Sequence, residues 1–97
     1  MSGILAPEEL TEALKRLPGW SGDGEGIERT AELPGFATAI AVVDRVAAIA
    51  EQLDHHPDID IRWRTLTFRC STHSAGGVTA RDLDLAARIE EVLAGVS

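Results

Sequence analysis

The sequence predicts an α+β fold of two layers in the order α-β-β-α-β-β-α, a four-stranded antiparallel sheet with three helices on one face. Three observations lead there. Three segments repeat apolar residues at the helical period, and each runs into proline or glycine. Two pairs of short alternating segments fill the gaps between them. The strands therefore come as hairpins, not as parallel strands joined by crossover helices, which gathers the helices on one side of an antiparallel sheet. No linker, repeat or low-complexity stretch divides the 97 residues, so residues 1–97 are expected to form a single domain.

The first helix lies in "APEELTEALKRLPGW", where Pro7 suits the first helical position and Glu8 and Glu9 suit the positive end of the helix dipole. Leu10, Ala13, Leu14 and Leu17 share one face, and Pro18-Gly19 ends the helix. A hairpin from Trp20 to Leu33 follows, with Ile27, Arg29, Ala31 and Leu33 alternating with Glu28, Thr30 and Glu32.

The longest periodic element is "FATAIAVVDRVAAIAEQL", Phe36 to Leu53. One stripe runs Phe36, Ile40, Val43, Ala47, Ala50 and a second runs Ala39, Val42, Val46, Ile49, Leu53, so this helix needs two apolar partners. Pro57 and the acidic run around it are expected to stop it, because the residue before a proline is driven out of the helical region. In "DIRWRTLTFRCSTH", Ile61 and Trp63 hold one parity and Leu66, Phe68 and Cys70 the other, which implies a tight turn near Arg64-Thr65 between two strands. "SAGGV" is a loop. "TARD" then opens the last helix as a capping box, Thr79 with Asp82, and Gly95 closes it.

Composition narrows the function. The hydrophobic fraction is 44% and the charged fraction 26%, values of an ordinary globular domain, and no apolar run reaches membrane-span length. A formal charge of −7 without a local Lys/Arg cluster repels a phosphate backbone, so nucleic-acid binding is not expected and a neutral or weakly polar ligand fits better. Cys70 is the single cysteine and the first residues lack a basic, then apolar, leader pattern; a cytoplasmic location is the expectation.

The chemistry concentrates in "EQLDHHPDID", Glu51 to Asp60. Glu51 and His55 are four apart, so on a continuing helix the carboxylate would reach that ring and fix its tautomer. His56 would point about a third of a turn away. His73 follows a strand, and a strand end beside a helix end makes a pocket rim where three imidazoles could share acid, base and binding roles. Simpler roles exist for each residue. Such a Glu–His pair is more often an exposed helix-end contact, histidine suits a helix C-terminus, Asp82 is explained by capping, and Trp20 and Trp63 by partial burial. A zinc site is disfavoured because adjacent histidines diverge and neither His-x-His nor His-x-x-x-His occurs. Cys70 sits mid-strand with no base near it in sequence.

Taken together, Glu51-x-x-x-His55-His56-Pro57, the aromatic Trp63, "STH" ending at His73 and Thr79-x-x-Asp82 resemble the signature of the pterin-4a-carbinolamine dehydratases, a likeness running from "PGW" at Pro18 to "IEEV" at Val92. The resemblance implies the same element order, a homodimer or homotetramer, and loss of water from a 4a-hydroxytetrahydropterin to give quinonoid dihydropterin, with no metal and no organic cofactor. It makes His55 and His73 the candidates for acid and base, His56 a grip on the pterin, Glu51 an orienting group for His55, Asp82 a support for His73 or its loop, and Trp20 a pocket residue. Ile59 stands where many relatives carry an aromatic, and "IERTAEL" lacks an aromatic-rich pattern. A non-catalytic binding or assembly protein on the same scaffold is the alternative. The joint presence of Glu51, His55, His56 and His73 favours the enzyme.

Overall fold

The computed structural model describes residues 3–96. Along the chain these form α1 (Pro7–Lys15), β1 (Trp20–Asp23), β2 (Gly26–Glu32), α2 (Phe36–Leu53), β3 (Asp58–Arg62), β4 (Thr65–Cys70) and α3 (Ala80–Ala94). The strands make one sheet in the order β1-β2-β4-β3 with every pairing antiparallel, as the hairpin pattern predicts.

Register sets the two faces of the sheet. Ile27 lies opposite Cys70 and Ala31 opposite Leu66, while Ile59 and Ile61 of β3 lie opposite Phe68 and Leu66. Opposed residues share a face, so the apolar set turns to one side, where Ile27, Leu66, Phe68 and Cys70 are buried with Leu10 of α1, Val42 and Val46 of α2, and Leu85 and Ile89 of α3. The other face is polar, with Thr30 bonded to Thr67 at 3.0 Å and Arg69 paired with Glu28 at 3.7 Å. Of the two stripes on α2, Ala39, Val42 and Val46 are buried, whereas Phe36 is 52% exposed and Ile40 and Val43 are half-buried. The first stripe is therefore only partly covered within the single chain: Ala50 is buried and Val43 packs against the core, while Phe36 and Ala47 are exposed.

The β3–β4 turn is shifted by one residue from the position read in the sequence. Arg62 pairs with Thr65, so Trp63 and Arg64 form the two-residue loop. Two-residue hairpins need positive φ, and Trp63 supplies it at 56° despite its side chain. That conformation costs of order 1–2 kcal/mol. Local contacts offset part of this: the Arg64 guanidinium lies 5.0 Å from the Trp63 ring centroid, and the Arg64 carbonyl accepts the Leu33 N–H at 2.8 Å.

The end of α2 also departs from the sequence reading. The helix stops before Pro57 acts, because Asp54 takes the left-handed conformation at φ 51°. The Asp54 N–H returns to the Glu51 carbonyl at 3.3 Å and the His55 N–H to the Ala50 carbonyl at 3.1 Å, the pair of bonds that closes a Schellman motif. His55 and His56 thus lie beyond the helix.

Between β4 and α3, Thr72 and Gly77 bond to each other through both backbone groups, and the Val78 N–H reaches the Gly24 carbonyl at 3.0 Å. Gly77 is required at that crossing, since a Cβ there would sit 2.7 Å from the Gly24 oxygen. The tip of the first hairpin therefore fixes where α3 begins. Phe68 is fully buried at the sheet centre. Phe68→Ala is expected to lower the unfolding free energy by about 3–5 kcal/mol; urea titration checks it, and a loss below about 1 kcal/mol would contradict this core assignment.

Candidate active site

The first turn of α3 builds the centre of the site. Thr79 caps the helix through its side-chain oxygen, which accepts the Arg81 N–H at 3.2 Å, and Asp82 at the third position returns Oδ2 to the Thr79 N–H at 2.9 Å. The capping box read from the sequence is present. It also has a second use: Asp82 is completely buried, and its Oδ1 lies 2.6 Å from Nε2 of His55.

Thr72 completes the cluster. A carboxylate only accepts, so the Thr72 hydroxyl donates to Asp82 Oδ2 at 2.8 Å. With that proton committed, Thr72 Oγ1 is the acceptor in its 2.8 Å contact with Thr79, whose hydroxyl donates. The Asp82 carboxylate therefore takes donors from Thr79, Thr72 and His55. By the same reasoning the Nε2 atom of His55 carries its hydrogen toward Asp82, leaving Nδ1 with its lone pair in the neutral ring. Nδ1 has no partner among the described residues, and the one buried side-chain nitrogen or oxygen without a partner among them is Arg64 Nε. The Nδ1 atom thus reaches the small part of His55, 8%, that remains accessible.

Three pairings expected from the sequence are different here. Glu51 bonds to His56, not His55, at 2.6 Å, and both side chains are mostly exposed. The four-residue rule presumes a helix that continues, but the left-handed turn at Asp54 swings His55 inward and brings His56 back over Glu51. Asp82 bonds to the ring of His55 and not to that of His73, although through Thr72 it does support the loop that carries His73, one of the two roles expected for it. Trp20 is buried among core residues and gives its indole N–H to Glu90 at 2.8 Å, a carboxylate that Arg29 also holds at 2.6 Å. Glu90 lies two turns beyond Asp82 on α3, about 12 Å along the axis, so Trp20 marks the far end of that helix.

His73 is exposed and lines a hollow of about 370 Å³ together with Glu25, Asp58, Arg69, Ser71 and Gly76. Neither His55 nor His56 lines this hollow; Asp58, which does, follows them in sequence, and Thr72, bonded to Asp82, immediately precedes His73 in the chain. A second hollow, about 310 Å³, is lined by Thr72, Ser74, Thr79 and Arg81 among others and shares no residue with the first. Thr72 belongs to the cluster although no motif marks it; the one sequence signal for its burial is that it continues the inward parity of Leu66, Phe68 and Cys70. Burial, then the charges of Asp82 and Asp58, push the Cys70 thiol up to about 12, so it is no nucleophile near neutral pH. Among the described residues, no three His, Cys, Asp or Glu side chains are grouped to hold a metal ion, and no helix is long and apolar enough to cross a membrane.

The family model described as pterin 4 alpha carbinolamine dehydratase matches residues 4–92. A Nocardia farcinica protein provisionally named pterin-4-alpha-carbinolamine dehydratase is 56% identical, over 92% of this chain and 94% of its own length. A Roseiflexus castenholzii protein with the same provisional name is 50% identical over 96% of this chain and 100% of its own. Among solved structures, the transcriptional coactivator/pterin dehydratase from Brucella melitensis superposes with a TM-score of 0.87 at 33% identity, covering 91% of this chain and 96% of that one. A pterin dehydratase-like protein identified as a RuBisCO assembly factor in the α-carboxysome shares the fold, with a TM-score of 0.64 at 22% identity over 80% of this chain and 89% of its own.

The two histidine–carboxylate pairs differ in burial and should differ in energy. Asp82→Ala strands the Thr72, Thr79 and His55 donors and is expected to cost about 2–4 kcal/mol of stability, whereas Glu51→Ala is expected to cost less than about 0.5 kcal/mol. Thermal or urea unfolding checks both, and equal losses would overturn the ranking.

Proposed function

The chain belongs to the pterin 4 alpha carbinolamine dehydratase family, and from that premise we propose that it dehydrates a 4a-hydroxytetrahydropterin to quinonoid dihydropterin by histidine acid–base catalysis. In this reaction the bond from C4a to the hydroxyl oxygen breaks, the oxygen leaves as water after taking a proton, and the adjacent ring N–H loses its proton as a C=N bond forms. No oxidant is required. One group must give a proton and another must take one.

The observation that supports this most strongly is the 2.6 Å contact between His55 and the buried Asp82. It holds the ring in one tautomer, with Nδ1 as the free basic nitrogen, and places a carboxylate behind the ring to face the positive charge that follows proton uptake. We assign His55 as the base that removes the ring proton. His73, open to solvent in its hollow, is assigned as the acid that delivers a proton to the leaving hydroxyl and reloads from water. His56, held by Glu51 at the surface, is assigned to grip the pterin. Trp20 acts at a distance in this scheme, since its polar atom already belongs to Glu90. The chemistry of these groups calls for neither a metal nor an organic cofactor.

An acidic protein with one buried cysteine suits the cytoplasm, and its charge of −7 disfavours direct contact with nucleic acid. We also assign a homodimer or homotetramer. The surface stripe of Phe36, Ile40 and Val43 on α2 and the edge strand β3 with Ile61 offer apolar area and unpaired backbone to a second copy. Sedimentation velocity reads the mass, and a monomer alone at assay concentrations would remove this assignment.

Stopped-flow dehydration of synthetic 4a-hydroxytetrahydropterin tests the function. His55→Ala and His73→Ala are each expected to slow turnover by about tenfold or more with the fold retained. Unchanged rates in both would end the mechanism, and a wild-type protein that binds pterin without turnover would point to the non-catalytic alternative.

A further inference from the structure

Arg81 is placed where helix electrostatics disfavours it. It is the second residue of α3, at the positive end of that helix's dipole, where a cation is unfavourable and a carboxylate preferred. Its side chain is exposed, so the core does not demand it. The explanation lies on another element: Nη2 of Arg81 donates to the Asp54 carbonyl at 2.6 Å and approaches the Leu53 carbonyl at 3.5 Å. The last turn of α2 has no basic residue of its own, and its terminal carbonyls form the negative end of that dipole. Arg81 supplies the missing cation from α3.

The consequence concerns His55. Two successive residues of α3 grip two successive residues after α2: Arg81 holds the carbonyl of Asp54, and Asp82 holds the ring of His55. Asp54 is in the left-handed conformation at φ 51°, which a residue other than glycine keeps only when its surroundings enforce it. The peptide linking Asp54 to His55 sets where the imidazole points. Fixing its oxygen fixes the start of the His55 side chain, and proximity catalysis loses rate steeply when a reacting group is displaced by about 1 Å.

We propose that Arg81 is a positioning residue for the dehydration, acting through the Asp54 carbonyl to hold His55 in its productive orientation without touching the substrate. This rests on the reading of His55 as a catalytic base. Because Arg81 also borders the 310 Å³ hollow, a direct substrate contact is the rival role, and the two separate kinetically.

The experiment compares Arg81→Met, Arg81→Lys and Arg88→Met. Arg88 lies farther along α3, beside Asp84 at 3.9 Å, so its variant removes the same charge without touching the end of α2. For Arg81→Met, kcat is expected to fall about tenfold with KM within about twofold, the pattern of a displaced catalytic group. Arg81→Lys, which keeps one donor for the Asp54 oxygen, should recover kcat to within about threefold of wild type, and Arg88→Met should leave both constants unchanged. Nitrogen-15 spectra of the His55 ring give a readout that needs no turnover: one Nε2–H tautomer in wild type and Arg81→Lys, and a mixture in Arg81→Met. A raised KM at unchanged kcat would make Arg81 a substrate contact. Unchanged kcat with unchanged His55 signals would overturn the proposal outright. Absence of turnover in wild type would fail the dehydratase reading, while the ring spectra would still decide the positioning claim.

Discussion

A carboxylate with no access to water must find all its hydrogen-bond partners inside the protein, and the Asp82 side chain imposes that constraint on this fold. Its partners come from three separate places: His55 after α2, Thr72 after β4, and Thr79 at the start of α3. The Thr79 contact is local to α3, but the other two cannot be made unless the long helix, the central hairpin and the last helix have docked in one arrangement. A buried ionic cluster of this kind gives little net stability compared with an apolar replacement of the same shape, but losing one member leaves the others stranded. Its effect is on uniqueness: the end of α2, the exit of β4 and the start of α3 have one relative placement that satisfies the oxygen atoms.

The opposite end of α3 is held in a related way. Glu90 receives the Trp20 indole N–H and the Arg29 guanidinium, both from the first hairpin. With Asp82 in the first turn and Glu90 two turns later, α3 is pinned by carboxylates at two points over an apolar face of Leu85, Ile89 and Val92. Apolar packing alone permits a helix to slide or rotate by fractions of a turn at modest cost, whereas hydrogen-bonded carboxylates do not. The same geometry separates duties: the Asp82 end holds the His55 ring, and the Glu90 end fixes the first hairpin against the helix.

Two residues stand in backbone conformations that their side chains disfavour, and both sit at junctions. Trp63 at φ 56° closes the β3–β4 hairpin in two residues, which brings Leu66, Phe68 and Cys70 into the core register and delivers Thr72 to Asp82. Asp54 at φ 51° ends α2 early enough for His55 to turn inward. At Trp63 the local cost is of order 1–2 kcal/mol, at Asp54 less because aspartate tolerates this region better than other side chains, and each is held by an arginine: Arg64 against Trp63 and Arg81 on the Asp54 carbonyl. Strain at a junction, held by contacts from a distant segment, is how this short chain places a buried imidazole beside a buried carboxylate.

The sequence by itself determined the element order and the two faces of the sheet, because period 3.6 in the helices and period 2 in Ile27–Leu33 and Leu66–Cys70 are local consequences of backbone geometry. It also determined the Thr79–Asp82 capping box, which depends on residues three apart, and the spacing of His55, His56 and His73 on which the resemblance rests. Only the tertiary structure decided which carboxylate serves which ring. Glu51 was four residues from His55 in a pattern that assumed continuing helix, yet the left-handed turn at an aspartate instead of a glycine, with no local signal to announce it, gave Glu51 to His56 and left His55 to a partner 27 residues away. Thr72, Arg81 and the Trp20–Glu90 contact were hidden for the same reason. Each pairs residues whose distance along the chain carries no periodicity, so it exists only after packing has brought separate elements together.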